Sequence, residues 1–272
     1  MNWNIARLSI PVFDLEKSSQ FYNFLLNDKV LTNDTISSKT EYFLSEGNIE
    51  LKLYLLKDNL NALCKQQSRR AFPSILINNL NFIIEGLKKN KINFIIKEYN
   101  ENETVSSILI QEPGLNYIEL VDSSYRLDAS NNKSNLLWNF HHINLECYDV
   151  RSSVDFIAKN INIKEGSWKA PIELGKVNIA SNQLAIFPLD DNHSGIHINK
   201  ADFTFSWRNK FIHNPTIGGH PAFSVKDIKA FIKKLQKADI AYTDAKVYAM
   251  PNIHQIYLFD PNANIVEINQ NV

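Results

Sequence analysis

The chain repeats itself. Three segments of its first half recur, in the same order, in its second half. The pairs are residues 7–21 with 142–156, residues 72–94 with 220–242, and residues 112–120 with 260–268. In the last pair, EPGLNYIEL matches DPNANIVEI. A fold for this sequence must therefore consist of two halves built on one plan.

Each half contains the same local pattern twice, which makes four modules. A short stretch of alternating apolar and polar residues predicts a strand, and a side chain suited to a helix N-cap follows it. These N-cap candidates are Asp14, Asn79, Asp149 and Asp227. Apolar residues spaced by three and four then predict a helix, and further β-like stretches complete the module. The sequence predicts an α+β fold of four βαβββ modules.

The length and the linker composition divide the chain into two domains. At roughly 150 residues per domain, 272 residues correspond to about two. The polar stretch SSYRLDASNNKSN separates the repeats at 123–135. We expect an N-terminal domain over 1–123, a linker over 124–137 and a C-terminal domain over 138–272.

Charge and cysteine content exclude several functional classes. The 29 basic and 29 acidic residues give a net charge of zero, so no strong field recruits nucleic acid or an anionic membrane. Cys64 and Cys147 form no CxxC pair, which excludes a disulfide scaffold and a thiolate zinc site. The chain shows no signal profile and no apolar run of roughly 18 residues, so we expect a cytoplasmic protein.

Histidine is distributed differently from charge, because all seven histidines lie beyond residue 140. His142 and Asp149, and His220 and Asp227, open two repeats as HxxxxxxD, and DPNANIVE ends the chain's last module. This pattern resembles the vicinal oxygen chelate superfamily, which includes glyoxalase I and the type I extradiol ring-cleaving dioxygenases. The resemblance covers nearly the whole chain and implies two glyoxalase-like domains.

The resemblance also implies a metal site in the second half. His142, His220 and Glu267 stand at the three positions that bind metal in the family. Two imidazoles and one carboxylate suit Fe(II) best, and Mn(II) or another divalent ion less selectively. His141 precedes His142, and strict alternation along a strand would turn its side chain to the opposite face.

The first half has other residues at the three equivalent positions, namely Arg7, Phe72 and Glu119. Arginine has only hydrogen-bond donors and phenylalanine has no ligand atom, so we expect no metal there. An ion pair between Arg7 and Glu119 would place a positive charge where a metal would be. Extradiol dioxygenases of the two-domain type likewise keep their metal in the second domain.

The resemblance implies further catalytic residues. The family uses a histidine of the third module as acid and base, and the segment DDNHSGIHI offers His193 first and His197 second. Tyr257, ten residues before Glu267, matches a tyrosine that contacts substrate oxygens in the family. This chain departs from the family pattern at two positions: Tyr248 stands in place of a histidine, and Ala263 stands in place of a glycine. His254 lies on the other face of its strand.

These residues lead us to expect an enzyme. The first hypothesis is a non-haem dioxygenase that acts on a catechol- or hydroquinone-like molecule with Fe(II) and O₂. The second is a glyoxalase-like isomerase or a thiol transferase, and the third is a non-catalytic protein that binds a small molecule. The partner would be a small-molecule substrate, with neither nucleic acid nor a membrane, and self-association into a homo-oligomer stays open.

Overall fold

The structure, a computed structural model, describes residues 3–27, 41–44, 49–56, 69–100, 102, 104–124, 138–167, 180–250 and 252–272. Apart from Ser124, the expected linker over 124–137 lies outside these residues. No helix among the described residues is long and apolar enough to cross a membrane.

The first sheet is formed entirely by the first half of the chain. Its elements are β1 (Trp3–Val12), α1 (Leu15–Asn27), β2 (Glu41–Leu44), β3 (Glu50–Leu55), β4 (Phe72–Ile77), α2 (Leu80–Lys89), β5 (Phe94–Tyr99), β6 (Val105–Gln111) and β7 (Tyr117–Asp122). The seven strands are ordered β2-β3-β1-β4-β7-β6-β5. The first strands of the two modules, β1 and β4, therefore pair in the middle of the sheet.

The second sheet repeats this arrangement. Its elements are β8 (Trp138–Cys147), α3 (Val150–Asn160), β9 (Leu184–Pro188), β10 (Gly195–Lys200), α4 (Phe205–Asn209), β11 (His220–Val225), α5 (Ile228–Lys237), β12 (Tyr242–Val247), β13 (Ile253–Phe259) and β14 (Ile265–Asn271). The seven strands are ordered β12-β13-β14-β11-β8-β10-β9, which reads in reverse as the plan of the first sheet.

The predicted α+β fold is confirmed. The second and fourth modules show the full βαβββ order, and the first and third show a strand, a helix and two further strands. Residues 28–40 and 168–179, which follow or nearly follow the helices of these two modules, lie outside the described residues. Four Asx side chains accept a hydrogen bond from a helix's first turn, as predicted: Asp14, Asn79, Asp149 and Asp227.

The first strand of each half carries a β-bulge at the same place. The pairing of β8 with β11 passes over His141, and the pairing of β1 with β4 passes over Ala6. A bulge inserts one residue that has no partner opposite it, and it bends the strand. The two residues are equivalent in the repeat, so the bulge belongs to the shared plan of the halves.

Two turns fasten the halves to each other, and we call them the reciprocal turns. The turn at 260–264 reaches the end of β1, where Asn264 Nδ2 donates to the backbone oxygen of Pro11 at 3.1 Å. The turn at 112–116 reaches the end of β8, where Asn116 Nδ2 donates to the backbone oxygen of Glu146 at 2.8 Å. Each half therefore binds the other through the same segment of the repeat.

A buried hydrogen bond adds to this connection. The hydroxyl of Tyr22 on α1 donates to Asp260 Oδ2 at 3.1 Å, and both side chains are buried. The same carboxylate organises its own turn, because it accepts the backbone N–H groups of Asn262 and Asn264 at 2.8 Å each. Burial raises the pKa of Asp260, and the hydrogen bonds from these two asparagines act against that rise.

The reciprocal turns require a left-handed backbone at one position. Ala263 has φ of 60°, and Leu115, its counterpart in the first half, has φ of 66°. A residue with a Cβ pays about 1–2 kcal/mol in this conformation, which glycine adopts freely. The turn thus keeps its geometry with alanine in place of glycine and carries that strain.

We predict that Ala263→Gly raises the free energy of unfolding by about 0.5–1 kcal/mol, because relief of the left-handed strain exceeds the entropy that glycine adds to the unfolded chain. Urea unfolding followed by circular dichroism measures the change. The control is Ala158→Gly inside α3, where the same substitution should cost about 1 kcal/mol. A loss of stability in both variants would contradict the strain at Ala263.

Candidate metal centre

Three neighbouring strands bring His142, His220 and Glu267 together. These residues lie on β8, β11 and β14, which are adjacent in the second sheet, and all three side chains are buried. Their ligand atoms lie within 4.8 Å of one another. In the part of the chain that the structure describes, this is the one such group of three ligand-type side chains.

The carboxylate of Glu267 is held in a defined orientation. Gln255 Nε2 and Asn269 Nδ2 each donate to its Oε1 at 2.9 Å. Its Oε2 faces the imidazoles instead, at 3.3 Å from His220 Nε2 and 3.6 Å from His142 Nε2. The two amides thus anchor Oε1, and Oε2 converges with the two imidazole Nε2 atoms as the third ligand-type atom.

The protonation states suit a cation. Burial alone raises the pKa of Glu267, but hydrogen bonds from His220, Asn269 and Gln255 outweigh burial and bring the pKa to about 2. Burial, and then the nearby histidines, hold the pKa of His142 well below its usual range. At neutral pH the site therefore presents an ionised carboxylate and a neutral imidazole at His142, which are the forms that bind metal.

The residues fit a divalent metal ion chemically. Two imidazole nitrogens and one carboxylate oxygen are the donor set of the facial triad, which binds Fe(II) and related ions and leaves positions for other ligands. The only charge in the set is the buried carboxylate, and a cation would offset the cost of burying it. These three side chains could hold a metal ion.

His141 does not follow the alternation that the sequence predicted. Its Nδ1 lies 2.8 Å from His142 Nδ1, and the two rings meet nearly edge to face. The β-bulge explains the difference, because consecutive residues at a bulge need not point to opposite faces. The expectation that His141 faces away from His142 was wrong.

The two histidines of the third module lie in different settings. His197 is on β10 and is buried, and its ring stacks on that of His142 with 3.9 Å between centroids. His193 lies in the turn before β10, half-buried, with φ of 63°. Its backbone oxygen accepts a hydrogen bond from His197 Nε2 at 2.7 Å. His197 borders the cavity above the centre, and His193 is not among the residues that line it.

This hydrogen bond fixes the form of the His197 ring. A carbonyl oxygen can only accept, so Nε2 carries the proton and Nδ1 carries the lone pair of the neutral ring. Burial lowers the pKa of His197 to about 3, and the hydrogen bond to His193 only partly offsets burial. The ring is therefore neutral at physiological pH.

Tyr257 and Tyr248 form a pair of phenols beside the centre. Their hydroxyl oxygens are 2.6 Å apart, both rings are buried, and both border the cavity. The ring of Tyr257 packs edge-on against that of His220, with 5.6 Å between centroids. Burial, followed by the charge of Glu267, raises the pKa of both tyrosines. Both hydroxyls stay protonated and can donate hydrogen bonds.

The lining of the cavity is partly polar and partly apolar. Besides the residues above, its polar lining includes Asn144 and Asn199, and its apolar lining includes Phe205, Ala249 and Met250. The pair Arg208 and Asp202, 2.6 Å apart, lies at the margin. His254 lies elsewhere, bonded to Asp244 at 2.7 Å.

Sequence reasoning did not place His141, Gln255 and Tyr248 beside the group of three ligand-type side chains. Alternation along β13 would have placed Gln255 on the face of Tyr257, which was a usable signal. Tyr248 was noticed only as a departure from the family pattern. The bulge that turns His141 toward His142 leaves no mark in a single sequence.

In the first half, an ion pair and hydrogen bonds satisfy the side chains at the positions equivalent to His142 and Glu267. Arg7 binds Glu50 on β3, whereas Glu119 accepts hydrogen bonds from Ser74 and from Ser107, the latter at 2.9 Å. The expected ion pair between Arg7 and Glu119 was therefore wrong. Glu119 has two hydroxyl donors of its own, so it does not need the guanidinium.

Two further positions differ between the halves. Phe72, the counterpart of His220, packs on Tyr54 and Tyr117 with centroids 6.0 and 6.4 Å apart. Lys52 stands at the register position of His197 and binds Glu41 at 2.7 Å. Phe72 with its aromatic neighbours thus stands in the position of His220, and the ion pair of Lys52 with Glu41 stands in the position of His197.

Known structures share this architecture at low sequence identity. A crystal structure of catechol 2,3-dioxygenase matches with a TM-score of 0.61 and 12% identity, covering 98% of this chain and 87% of that one. Homoprotocatechuate 2,3-dioxygenase from Arthrobacter globiformis matches with 0.62 and 14%, covering 98% and 79%. The Mn(II)-bound glyoxalase from Novosphingobium aromaticivorans matches with 0.61 and 10%, covering 98% and 81%.

These comparisons confirm the vicinal oxygen chelate fold with two glyoxalase-like domains. Identities of 10–14% show the fold alone, because one scaffold carries many chemistries. No family model matches the sequence, and no curated protein does either.

We predict that Glu267→Gln abolishes metal binding, because it removes the only charge of the donor set. In the wild-type protein, Mn(II) at about 100 times its Kd should raise the melting temperature by about 5–10 °C. In the variant the melting temperature should stay constant. Thermal unfolding with and without the metal, beside elemental analysis, measures the effect.

The matched control is Glu119→Gln, the same substitution at the equivalent position of the first half. It should leave metal content and the metal-induced shift unchanged. Equal metal binding by the wild-type protein and Glu267→Gln would refute the centre.

Proposed function

We propose that the chain is a metal-dependent dioxygenase that cleaves the ring of a catechol- or hydroquinone-like substrate, with Fe(II) and O₂. The observation that carries the proposal is the convergence of His142, His220 and Glu267 under a cavity that also contains protonated phenols and a neutral histidine. The likeness of the fold to catechol 2,3-dioxygenase and homoprotocatechuate 2,3-dioxygenase supports the same function.

We further propose that the domains span 1–123 and 138–272, with a linker over 124–137, and that only the second binds metal. The strands from Trp3 to Asp122 form one sheet and those from Trp138 to Asn271 the other, in support of these boundaries. The ion pair of Arg7 with Glu50 supports a metal-free first domain, because a guanidinium repels a cation and offers no lone pair.

The metal would supply Lewis acidity toward the substrate oxygens and, as redox-active iron, electron exchange with dioxygen. His142, His220 and Glu267 would hold it, and Mn(II) is the alternative ion. Gln255 and Asn269 keep the carboxylate in place while a ligand exchanges, since both amides hold the oxygen that faces away from the imidazoles.

The phenol pair would bind a substrate oxygen. Tyr257 and Tyr248 stay protonated, and only one of the two can donate to the other across their 2.6 Å contact. When Tyr257 donates to Tyr248, the hydroxyl proton of Tyr248 is left for a substrate oxygen in the cavity; in the opposite arrangement the proton of Tyr257 faces Glu267. Asn144 Oδ1, which accepts no hydrogen bond from any described residue, would accept a substrate hydroxyl.

His197 would act as the acid and base in place of His193. The ring is neutral, its Nδ1 carries the lone pair, and it stacks on His142 at the cavity. It can therefore take a proton from a substrate hydroxyl and return it later. His193 contributes its backbone oxygen, which holds the His197 ring in the required tautomer.

A glyoxalase-like reaction is the second candidate, and the Mn(II)-bound glyoxalase among the similar structures favours it. Glyoxalase-like enzymes commonly add a glutamate ligand on the last strand of an odd-numbered module. That strand here is β10, with the sequence GIHINK, and it contains no carboxylate. This composition favours the dioxygenase.

The decisive experiment loads the protein with Fe(II) without oxygen, adds a panel of catechols and hydroquinones, and then admits air. A coloured ring-cleavage product from the wild-type protein and none from His142→Ala would support the proposal. Absence of product with every substrate, although iron is bound, would refute it. Binding of the same molecules without metal would identify a non-catalytic binding protein instead.

We predict that His197→Asn lowers kcat by about 10²–10⁴, the usual contribution of a positioned acid and base. His193→Asn should keep kcat within about threefold, because asparagine tolerates the left-handed backbone and the carbonyl remains. Steady-state kinetics at equal iron content compares the two variants. The reverse order of effects would assign the role to His193.

A further inference from the structure

The contact between the Nδ1 atoms of His141 and His142 is a polar contact beside the centre to which the proposed function gives no role. We propose that His141 is a positioning residue, whose Nδ1 accepts the Nδ1–H of His142 and so points the lone pair of His142 Nε2 at the metal position. The inference rests on the proposed metal centre and adds a member to it.

The contact itself requires one donor and one acceptor. Two ring nitrogens 2.8 Å apart cannot both present lone pairs, and both cannot carry protons without repulsion. His142 Nε2 faces Glu267 Oε2 at 3.6 Å, and a nitrogen that binds a cation must be unprotonated. The proton of His142 then sits on Nδ1, and His141 Nδ1 accepts it.

The backbone supports a specific role for this side chain. The bulge at His141 turns two consecutive side chains toward each other, which a regular strand does not allow. The first half has the same bulge, but Ala6 occupies it, and alanine has no acceptor. The acceptor is therefore present only in the half with the metal-type residues.

An imidazole partner differs from the carboxylate or carbonyl that usually holds a metal-binding histidine. Those groups only accept, whereas a neutral imidazole can accept with one nitrogen or donate with the other. Without metal, the pair can therefore also adopt the opposite tautomers, with His142 Nε2–H facing Glu267. Metal binding selects one of the two arrangements. His141 is buried, so water does not compete for the contact.

The test combines two variants with Zn(II), a diamagnetic ion. His141→Leu removes the acceptor, and His141→Asn restores one near the position of Nδ1. We expect Leu to weaken the Kd for Zn(II) by about 10–100-fold and Asn to return it to within about fivefold of the wild-type value. His254→Leu, a substitution of the histidine that pairs with Asp244 away from the cavity, should leave the Kd unchanged.

A second measurement needs no variant. In the Zn(II)-loaded wild-type protein with ¹⁵N-labelled histidine, NMR should show a scalar coupling across the hydrogen bond between the two Nδ1 atoms. It should also show the proton on Nδ1 of His142 and on Nε2 of His141.

The possible results test the positioning role of His141 separately from the existence of the metal centre. If His142→Ala abolishes Zn(II) binding while His141→Leu binds as the wild type does, the positioning role is overturned and the centre stands. If the NMR spectrum shows a proton on Nδ1 of His141 in the loaded protein, the role is also overturned. If the wild-type protein binds no Zn(II), Mn(II) or Fe(II), the centre fails, and the positioning role fails with it.

Discussion

A carboxylate buried at the middle of each sheet is the constraint around which the two halves are arranged. Glu267 and Glu119 occupy equivalent positions, and both are almost inaccessible to water. A buried charge is costly unless hydrogen bonds or an opposite charge compensate it. The surrounding side chains can therefore be understood by how they satisfy these oxygens.

The two halves solve this problem in different ways. In the first, Ser74 and Ser107 donate one hydrogen bond to each oxygen of Glu119, so that no ligand atom is left over. In the second, Gln255 and Asn269 both donate to the same oxygen. The other oxygen is left to face two imidazoles. Both halves keep the carboxylate, and they differ in the hydrogen-bond donors around it. This difference distinguishes a purely structural site from one that can take a cation.

The repeat in the sequence was sufficient to predict the order of the elements. Module order and the N-caps follow from periodicity and internal alignment, whereas the grouping of His142, His220 and Glu267 was implied by the family resemblance. The fine geometry did not follow. His141 was misplaced because a bulge breaks the alternation of a strand, and the partner of Arg7 was misassigned because Glu50 lies on a strand whose register the alignment did not fix.

The reciprocal turns have a consequence for the separability of the second half. The turn at 260–264 connects β13 to β14, and those strands carry Tyr257 and Glu267. Its polar atoms are satisfied by Pro11 and Tyr22, which belong to the other half. The second half on its own would expose these groups and lose the contacts that hold the turn between β13 and β14 in place. The first half, which lacks the metal-type residues, thus supports the second half within the same chain. We therefore expect the two halves to work only together.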